Sequence, residues 1–273
     1  MHLKRWLTSI VAVPLLILIV VWGGAALFSL AIGIVILVSL WEFFTIVSVS
    51  GRETALWLQS PMSWFLFVSG AAIALASHMG RPGSIVAVIT INFILTGMLS
   101  LPRYGADAAV VDKLHQQSLG ILYIPVMLAH LVFLRHQPDG VVWILFLLCL
   151  VFSGDVGAFY AGSYLGRHKL CPSVSPNKTW EGSAGGIAAN LVVCAAFSHL
   201  VFKQHPWALM VVFSILVGIA GQVGDLFESQ LKRKAGIKDS GIIFPGHGGM
   251  LDRIDALLFA APAAHYLKTL FFS

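Results

Sequence analysis

The segment from Ser229 to Asp255 has the residue types most able to do chemistry in this sequence. It contains five cationic side chains, three carboxylates and a histidine flanked by glycines, within a strongly apolar chain. So many charges beside apolar helices cost free energy unless ligands of opposite charge complete the site. We therefore expect this segment to bind a multiply charged ligand together with a metal ion.

The carboxylates have the spacing of a hard-cation site. Asp225 and Glu228 stand three residues apart near the end of one apolar stretch, and Asp252 and Asp255 repeat that spacing at the start of the next. Residues three apart share a helix face, so two helix ends could converge on one point. Oxygen ligands favour Mg²⁺ over zinc. Salt bridges to nearby cations are the alternative for some of these residues.

Basic residues and glycines lie between these two carboxylate pairs. The glycines of the run 245–249 allow backbone amides to approach a ligand closely. A basic stretch beside a membrane helix is more often explained by topology or lipid contact, but the interleaved aspartates and glycines favour a polyphosphate site here. The cations are Lys232, Arg233, Lys234 and Lys238.

A second polar stretch, residues 166–181, leads into a glycine-rich helix. Ser175 or Thr179 could cap that helix, whose amides would attract phosphate, with Lys178 adding a full charge. A capped helix start without any ligand would look similar.

Asp155 lies inside a long apolar run, about ten residues before its end. An aspartate at this depth costs about 2.5–3.5 kcal/mol on insertion scales and so requires a partner or a watery cavity. We favour a position lining a ligand cavity over a purely structural hydrogen bond. Gly154, Gly157 and Gly162 should allow close packing against a neighbouring helix.

Composition predicts an all-α, polytopic membrane bundle. Of the residues, 58% are hydrophobic and 11% charged, against about 25% charged in soluble domains. The apolar segments predict about nine transmembrane helices: 6–21, 23–48, 62–77, 85–100, 119–134, 141–165, 182–202, 207–228 and 251–271. A cleaved secretory signal is the less favoured interpretation of the first segment, because the next begins almost immediately.

Charge placement predicts a cytoplasmic N-terminus. With nine crossings, twelve Lys and Arg residues fall on the inside and four on the outside, as the positive-inside rule requires. Both polar stretches then face the cytoplasm, where nucleotides are available. This orientation is typical of a protein of the bacterial inner membrane.

The unusual residues concentrate in the C-terminal half. We predict a membrane scaffold in residues 1–140 and catalytic helices with cytoplasmic loops in residues 141–273, within one integrated membrane domain. The charges of the first half are expected to be solvated or interfacial: Glu42, Arg52, Arg103 and Asp107.

The two polar segments together resemble the phosphatidate cytidylyltransferases, also called CDP-diacylglycerol synthases. The loop Ser175-Pro-Asn-Lys-Thr-Trp-Glu-Gly182 is similar to one motif of that family, and the match extends from about Phe152 to Asp255. The other motif is matched by Ser229, Leu231, Lys232, Arg233, Lys238, Asp239, Gly241, Phe244, Pro245, His247, Gly248, Gly249, Asp252, Arg253 and Asp255.

The resemblance implies a reaction of CTP with phosphatidate in a homodimeric, nine-helix enzyme. It implies Mg²⁺ held by Asp225 and Asp252, with Asp255 next, and allows a monovalent cation such as K⁺. It makes Asp225, Asp252, Lys238 and His247 catalytic candidates. The implied substrate-binding residues are Asp155, Ser175, Asn177, Lys178, Thr179, Glu181, Lys232, Arg233, Asp239, Gly248, Gly249 and Arg253. Membrane lipids are expected partners, and nucleic acid is not.

Two rival functions use similar residues. A CTP-dependent polyprenol or phytol kinase also needs a metal and a nucleotide, but the lipid attacks a different phosphorus. A secondary transporter would place carboxylates in helices, but it predicts internal repeats and polar residues in both halves. The featureless first half disfavours the transporter.

Overall fold

The computed structural model describes residues 2–47, 61–241, 243 and 248–272. Its helices are α1 (His2–Val21), α2 (Gly24–Val47), α3 (Pro61–His78), α4 (Pro82–Ser100), α5 (Val110–Ile121), α6 (Met127–His136), α7 (Gly140–Leu165), α8 (Trp180–Leu200), α9 (Trp207–Lys234) and α10 (Leu251–Phe271). A 3₁₀ turn at Leu101–Arg103 extends α4, and the π-helical segment Leu122–Val126 joins α5 to α6. Pro125 lies in that segment, and because it has no N–H to donate, the regular ladder is interrupted there.

The predicted all-α membrane architecture is confirmed at this level. Each of the nine apolar segments coincides with helix. Within the described residues, six helical segments are long and apolar enough to cross a membrane: Gly24–Val47, Pro82–Arg103, Val110–His136, Gly140–Leu165, Trp180–Leu200 and Trp207–Lys234. Nine crossings and a cytoplasmic N-terminus stay predictions.

A small β-hairpin precedes α8, where the sequence indicated only a loop. Strands β1 (Lys169–Cys171) and β2 (Ser175–Thr179) pair antiparallel, with Lys169 opposite Thr179. Thr179 also forms the N-cap of α8, because its Oγ1 accepts a hydrogen bond from the Gly182 amide at 3.0 Å. The expectation that Ser175 or Thr179 caps this helix is confirmed for Thr179.

The chain divides into two compact units. One contains residues 1–136 and 239–253, and the other contains residues 137–238 and 254–273. We call them the first and second units. Among the described residues, Gly248, Gly249 and Asp252, which were predicted to belong with the C-terminal catalytic helices, lie in the first unit.

Polar side chains connect helices inside the first unit. Asn92 of α4 donates through Nδ2 to the Ser69 hydroxyl of α3 at 2.8 Å, and its Oδ1 accepts from Gln117 Nε2 of α5 at 3.3 Å. All three residues are buried. In a membrane, where lipid and side chains are equally apolar, such bonds stabilise helix association.

Glycines bring α7 and α8 into close contact in the second unit. A Cβ on Gly157 of α7 would lie 2.7 Å from the carbonyl oxygen of Gly185 on α8, and a Cβ on Gly185 would lie 3.0 Å from the carbonyl oxygen of Gly157. No larger residue fits this backbone approach, which confirms the packing expected of the α7 glycines. Because the backbones of α7 and α8 lie so close, side chains from both helices can line a single cavity.

Gly157→Ala is expected to destabilise the protein by about 1–3 kcal/mol, because the new methyl group must push the two backbones apart. Its matched control is Gly97→Ala in α4, where a Cβ would meet nothing within 4 Å. Alanine favours helix over glycine by about 1 kcal/mol, so the control should be neutral or stabilising. Thermal unfolding of both purified variants in detergent measures the difference, and equal melting temperatures would contradict the packing argument.

Candidate active site

A cavity of about 560 Å³ opens in the second unit. The helices α7, α8 and α9 and the β-hairpin all contribute to its walls, which combine charged, polar and apolar side chains. It is lined by Asp155, Ala158, Phe159, Gly162, Ser163, Leu170, Asn177, Lys178, Thr179, Gly182, Ser183, Gln222 and Asp225.

An ion pair between Lys178 and Asp225 lies at this cavity. Lys178 Nζ of β2 is 2.6 Å from Asp225 Oδ2 of α9, and each side chain is a little over a quarter exposed. The hydroxyl of Ser229, one turn further along α9, is 3.4 Å from Asp225 Oδ1. The structure therefore brings the cation of one sequence motif onto the carboxylate of another, at a point accessible from the cavity.

Three further predicted site residues face the same space. Asp155 of α7 is exposed and lines the cavity, as do Asn177 and Thr179 of β2. Thr179 is buried, and its hydroxyl is engaged as the cap of α8. Asp155, Asn177, Lys178, Thr179 and Asp225 are thus brought together by one cavity.

Sequence reasoning missed three polar residues of the cavity wall, Ser163, Ser183 and Gln222. Gln222 of α9 donates through Nε2 to the Ser183 carbonyl of α8 at 3.0 Å, and the Ser183 hydroxyl donates to Gln222 Oε1. Gln222 lies three residues before Asp225 and so shares its helix face. Gln222 could have been predicted from the sequence, because it is a polar residue in an apolar helix and stands three residues before the candidate carboxylate of Asp225.

Glu181 and Arg233 hold the polar loop in place. The Glu181 carboxylate accepts from the Arg167 amide at 3.1 Å and lies 2.6 Å from His168 Nδ1. Arg233, at the end of α9, donates through Nε to the Val174 carbonyl between the two strands at 3.2 Å. Both residues have structural contacts, and their predicted substrate roles stay predictions, as does that of Ser175 at the start of β2.

Lys232 does not occupy the position that the sequence suggested. It is buried in α9, with Nζ 2.7 Å from Oε2 of Glu228, which is fully buried one turn earlier. This pair corresponds to the salt-bridge alternative. The ammonium of Lys232 is therefore paired with a buried carboxylate within the protein, and its predicted substrate role stays a prediction.

Asp255, near the start of α10, experiences the charge of three other carboxylates of the second unit: Asp225, Glu228 and Asp155. Its Oδ1 accepts a hydrogen bond from the Ala256 amide at 2.7 Å. In the described part of the chain, no three His, Cys, Asp or Glu side chains form a ready metal-binding group. The four carboxylates offer only oxygen atoms as metal ligands, which suits a hard cation. They do not form a complete coordination shell, because the ammonium of Lys178 already contacts Asp225.

Asp252 belongs to the first unit, where backbone amides orient it. Its Oδ2 accepts from the amides of Ser240 and Gly249, both at 2.8 Å, and lies 2.9 Å from the Ser240 hydroxyl. Gly248 has φ of +82°, a conformation that favours glycine. The Asp252 carboxylate is therefore held by the loop that precedes it.

The prediction of a solvated or interfacial Glu42 is wrong. Glu42 of α2 is 2% exposed, and its carboxylate accepts hydrogen bonds from the segment that leads into α10. By contrast, Asp107 is partly exposed and pairs with Lys113 at 2.6 Å. Arg103 is partly exposed, and Arg52 lies outside the described residues.

The remaining predicted residues lie at the surface or outside the described ranges. Lys238, Asp239 and Arg253 are exposed. The catalytic candidate His247 lies outside the described residues, so its role stays a prediction.

Comparisons with known proteins identify the family of this chain. A model of the cytidylyltransferase family matches residues 3–271. The phosphatidate cytidylyltransferase of Staphylococcus aureus (strain COL) is 34% identical, covering 96% of this chain and 97% of the relative. That of Brucella suis biovar 1 (strain 1330) is also 34% identical, covering 91% and 85%. That of Bacillus subtilis (strain 168) is 38% identical over 59% of this chain and 60% of the relative. Because the match spans nearly the whole sequence, the chain belongs to the cytidylyltransferase family.

Proposed function

We propose that this chain is a phosphatidate cytidylyltransferase of phospholipid biosynthesis. A phosphate oxygen of phosphatidate attacks the α-phosphorus of CTP, the bond from that phosphorus to the bridging oxygen breaks, and pyrophosphate leaves with the electron pair. The products are CDP-diacylglycerol and pyrophosphate. The observation that carries the proposal is the cavity of the second unit, where Lys178 of the loop that resembles a family motif meets the carboxylate of Asp225.

The cavity suits the head of an amphiphile. Its wall combines Asp155, Asn177 and Lys178 with apolar groups such as Phe159 and Leu170. Phe159 is 67% exposed, and the neighbouring outer surface of α7 presents further exposed aromatic side chains, Tyr160 and Tyr164. Large exposed apolar groups on a membrane helix favour contact with acyl chains, while the polar wall can accept a phosphate.

Charge neutralisation and positioning supply the catalysis. The attacking phosphate is already anionic, so no strong general base is required. Lys178 holds and neutralises a phosphate group, and the Asn177 amide offers a hydrogen-bond donor beside it. Asp225 keeps the Lys178 ammonium directed at the cavity.

By the family resemblance, the proposed ligands of Mg²⁺ are Asp225 and Asp252, with Asp255 next. When bound, it would reduce the repulsion between two anionic substrates and stabilise the departing pyrophosphate. The exposed cations Arg233, Lys238 and Arg253 are proposed to hold outer phosphates, with Asp239, His247, Gly248 and Gly249 shaping the nucleotide pocket. A monovalent cation such as K⁺ would add positive charge to the same carboxylates.

The membrane setting forms part of the proposal. Nine crossings with a cytoplasmic N-terminus place both polar segments on the side where CTP is available, and the charge asymmetry of the sequence supports this orientation. We further infer that the enzyme works in the bacterial inner membrane as a homodimer, as the family resemblance implies.

Purified enzyme in detergent should transfer cytidine to lipid when given phosphatidate, CTP and Mg²⁺. CTP labelled in the base should yield labelled lipid with equimolar pyrophosphate, and a chelator should stop the reaction. GTP and dATP serve as control nucleotides. Transfer of only the γ-phosphate to lipid would instead identify a kinase and overturn the proposal.

Lys178→Met should lower kcat/KM for cytidine transfer by about 10²-fold, the usual cost of losing one charge-stabilising donor. The matched control is Lys169→Met, since Lys169 is exposed on the neighbouring strand and does not line the cavity. Wild-type rates for both variants would remove Lys178 from the mechanism.

Asp225→Asn and Asp252→Asn should each reduce turnover severely even at saturating Mg²⁺, because each loses a carboxylate proposed to hold the metal. Asp112→Asn is the matched control, since Asp112 is exposed in the first turn of α5. Initial rates over a Mg²⁺ titration measure the effect. Turnover as fast as wild type in either test variant would reject that residue as a ligand.

A further inference from the structure

Glu42 is a buried carboxylate that the mechanism above does not use. It lies in α2 and is 2% exposed. A buried carboxylate is costly unless hydrogen bonds compensate for its lost hydration. Among the described residues, three donors contact this one, and they come from the part of the chain about 200 residues later.

Two of the donors are backbone amides at the beginning of α10. The Met250 amide donates to Glu42 Oε1 at 2.9 Å, and the Leu251 amide donates to Oε2 at 2.8 Å. The first amides of a helix have no partner within the helix, and its positive dipole end favours a negative charge. Glu42 therefore acts as the cap of α10, supplied from a distant helix.

The third donor links Glu42 to Asp252. The Ser240 hydroxyl oxygen lies 3.0 Å from Glu42 Oε2 and 2.9 Å from Asp252 Oδ2. It also accepts from the Asp252 amide at 3.3 Å. Since a hydroxyl has only one proton, Ser240 shares that proton between two carboxylates, which fixes the position of Asp252 relative to Glu42.

The glycines of this segment fit around the same carboxylate. A Cβ on Gly241 or on Gly249 would lie 2.5 Å from Glu42 Oε1. Neither position can hold a larger residue while Glu42 remains in place. Gly241 and Gly249 were singled out in the sequence as part of the family motif, and the Glu42 carboxylate gives a physical reason for both.

We propose that Glu42 is a positioning residue for the reaction. It anchors Ser240, Met250 and Leu251 and so holds the Asp252 carboxylate in a productive orientation. This inference rests on the proposed function, because Asp252 acts there as a candidate metal ligand. It extends the functional machinery into α2, in the half of the chain that the sequence analysis treated as scaffold.

Glu42→Gln is the primary test, because it preserves size while replacing one acceptor oxygen with a donor that faces donors. Removing a group that orients a metal ligand typically costs about 10–100-fold in activity or metal affinity. We expect kcat per folded molecule to fall by that factor and the Mg²⁺ concentration for half-maximal rate to rise, with KM for CTP changed less than threefold. Glu42→Asp should partly restore kcat, since it keeps both acceptor oxygens.

Ser240→Ala separates positioning from folding. It removes the hydroxyl link to Asp252 but leaves the two amide bonds of Glu42 intact. We expect a reduced kcat per folded molecule, with a smaller loss of melting temperature than in Glu42→Gln. Ser39→Ala is the matched control for α2, because Ser39 is fully buried in the same helix.

A readout that does not depend on activity completes the test. Amide hydrogen exchange of residues 248–253 should be faster in Glu42→Gln than in wild type and unchanged in Ser39→Ala.

Wild-type kcat and wild-type exchange in folded Glu42→Gln would overturn the inference. If Glu42→Gln does not fold, wild-type kcat in Ser240→Ala overturns it. Loss of stability with unchanged kcat per folded molecule would reduce Glu42 to a structural role. Failure of wild-type enzyme to transfer cytidine would instead reject the proposed function, while the exchange result still reports on Glu42.

Discussion

Compensation of carboxylates inside an apolar protein is the constraint on which this structure depends. An unpaired acidic group at membrane depth costs several kcal/mol, so each one requires a cation, a set of amides or a polar cavity. The structure uses all three solutions. Asp225 has the Lys178 ammonium, Glu42 has the amides of Met250 and Leu251, and Asp155 faces a cavity.

The degree of burial distinguishes ion pairs that stabilise the fold from ion pairs that can take part in the reaction. The Glu228 and Lys232 pair is buried and neutral as a whole, so it serves packing. The pair of Asp225 and Lys178 is partly exposed and lines a cavity, so its charges remain accessible to a phosphate or a metal ion. Two ion pairs of nearly equal length thus have different uses because their burial differs.

Local sequence patterns predicted much of the fold and part of the site. Each predicted apolar segment is helical, and the glycines of α7 pack against α8 as expected, because hydrophobicity and residue size act locally. The placement of Asn177, Lys178 and Asp225 around one cavity was also within reach, since each stood in a recognisable motif. The β-hairpin was missed because its strands are only three and five residues long and carry no alternating pattern.

Sequence reasoning failed where a residue's environment is made by distant parts of the chain. Glu42 looked like an interfacial charge because nothing near it in sequence could compensate it. Its hydrogen-bond donors are Ser240, Met250 and Leu251. A contact between residues about 200 positions apart cannot be predicted from local sequence patterns.

The distance between Glu42 and its partners also has a consequence for biosynthesis. The ribosome makes Glu42 208 residues before Met250, so α2 enters the membrane with a carboxylate whose permanent hydrogen-bond donors do not yet exist. Until Met250 and Leu251 have been synthesised, that helix must keep its acidic group near the lipid headgroups, the translocation channel or trapped water. A chain that stops short of α10 retains a carboxylate without these two donors.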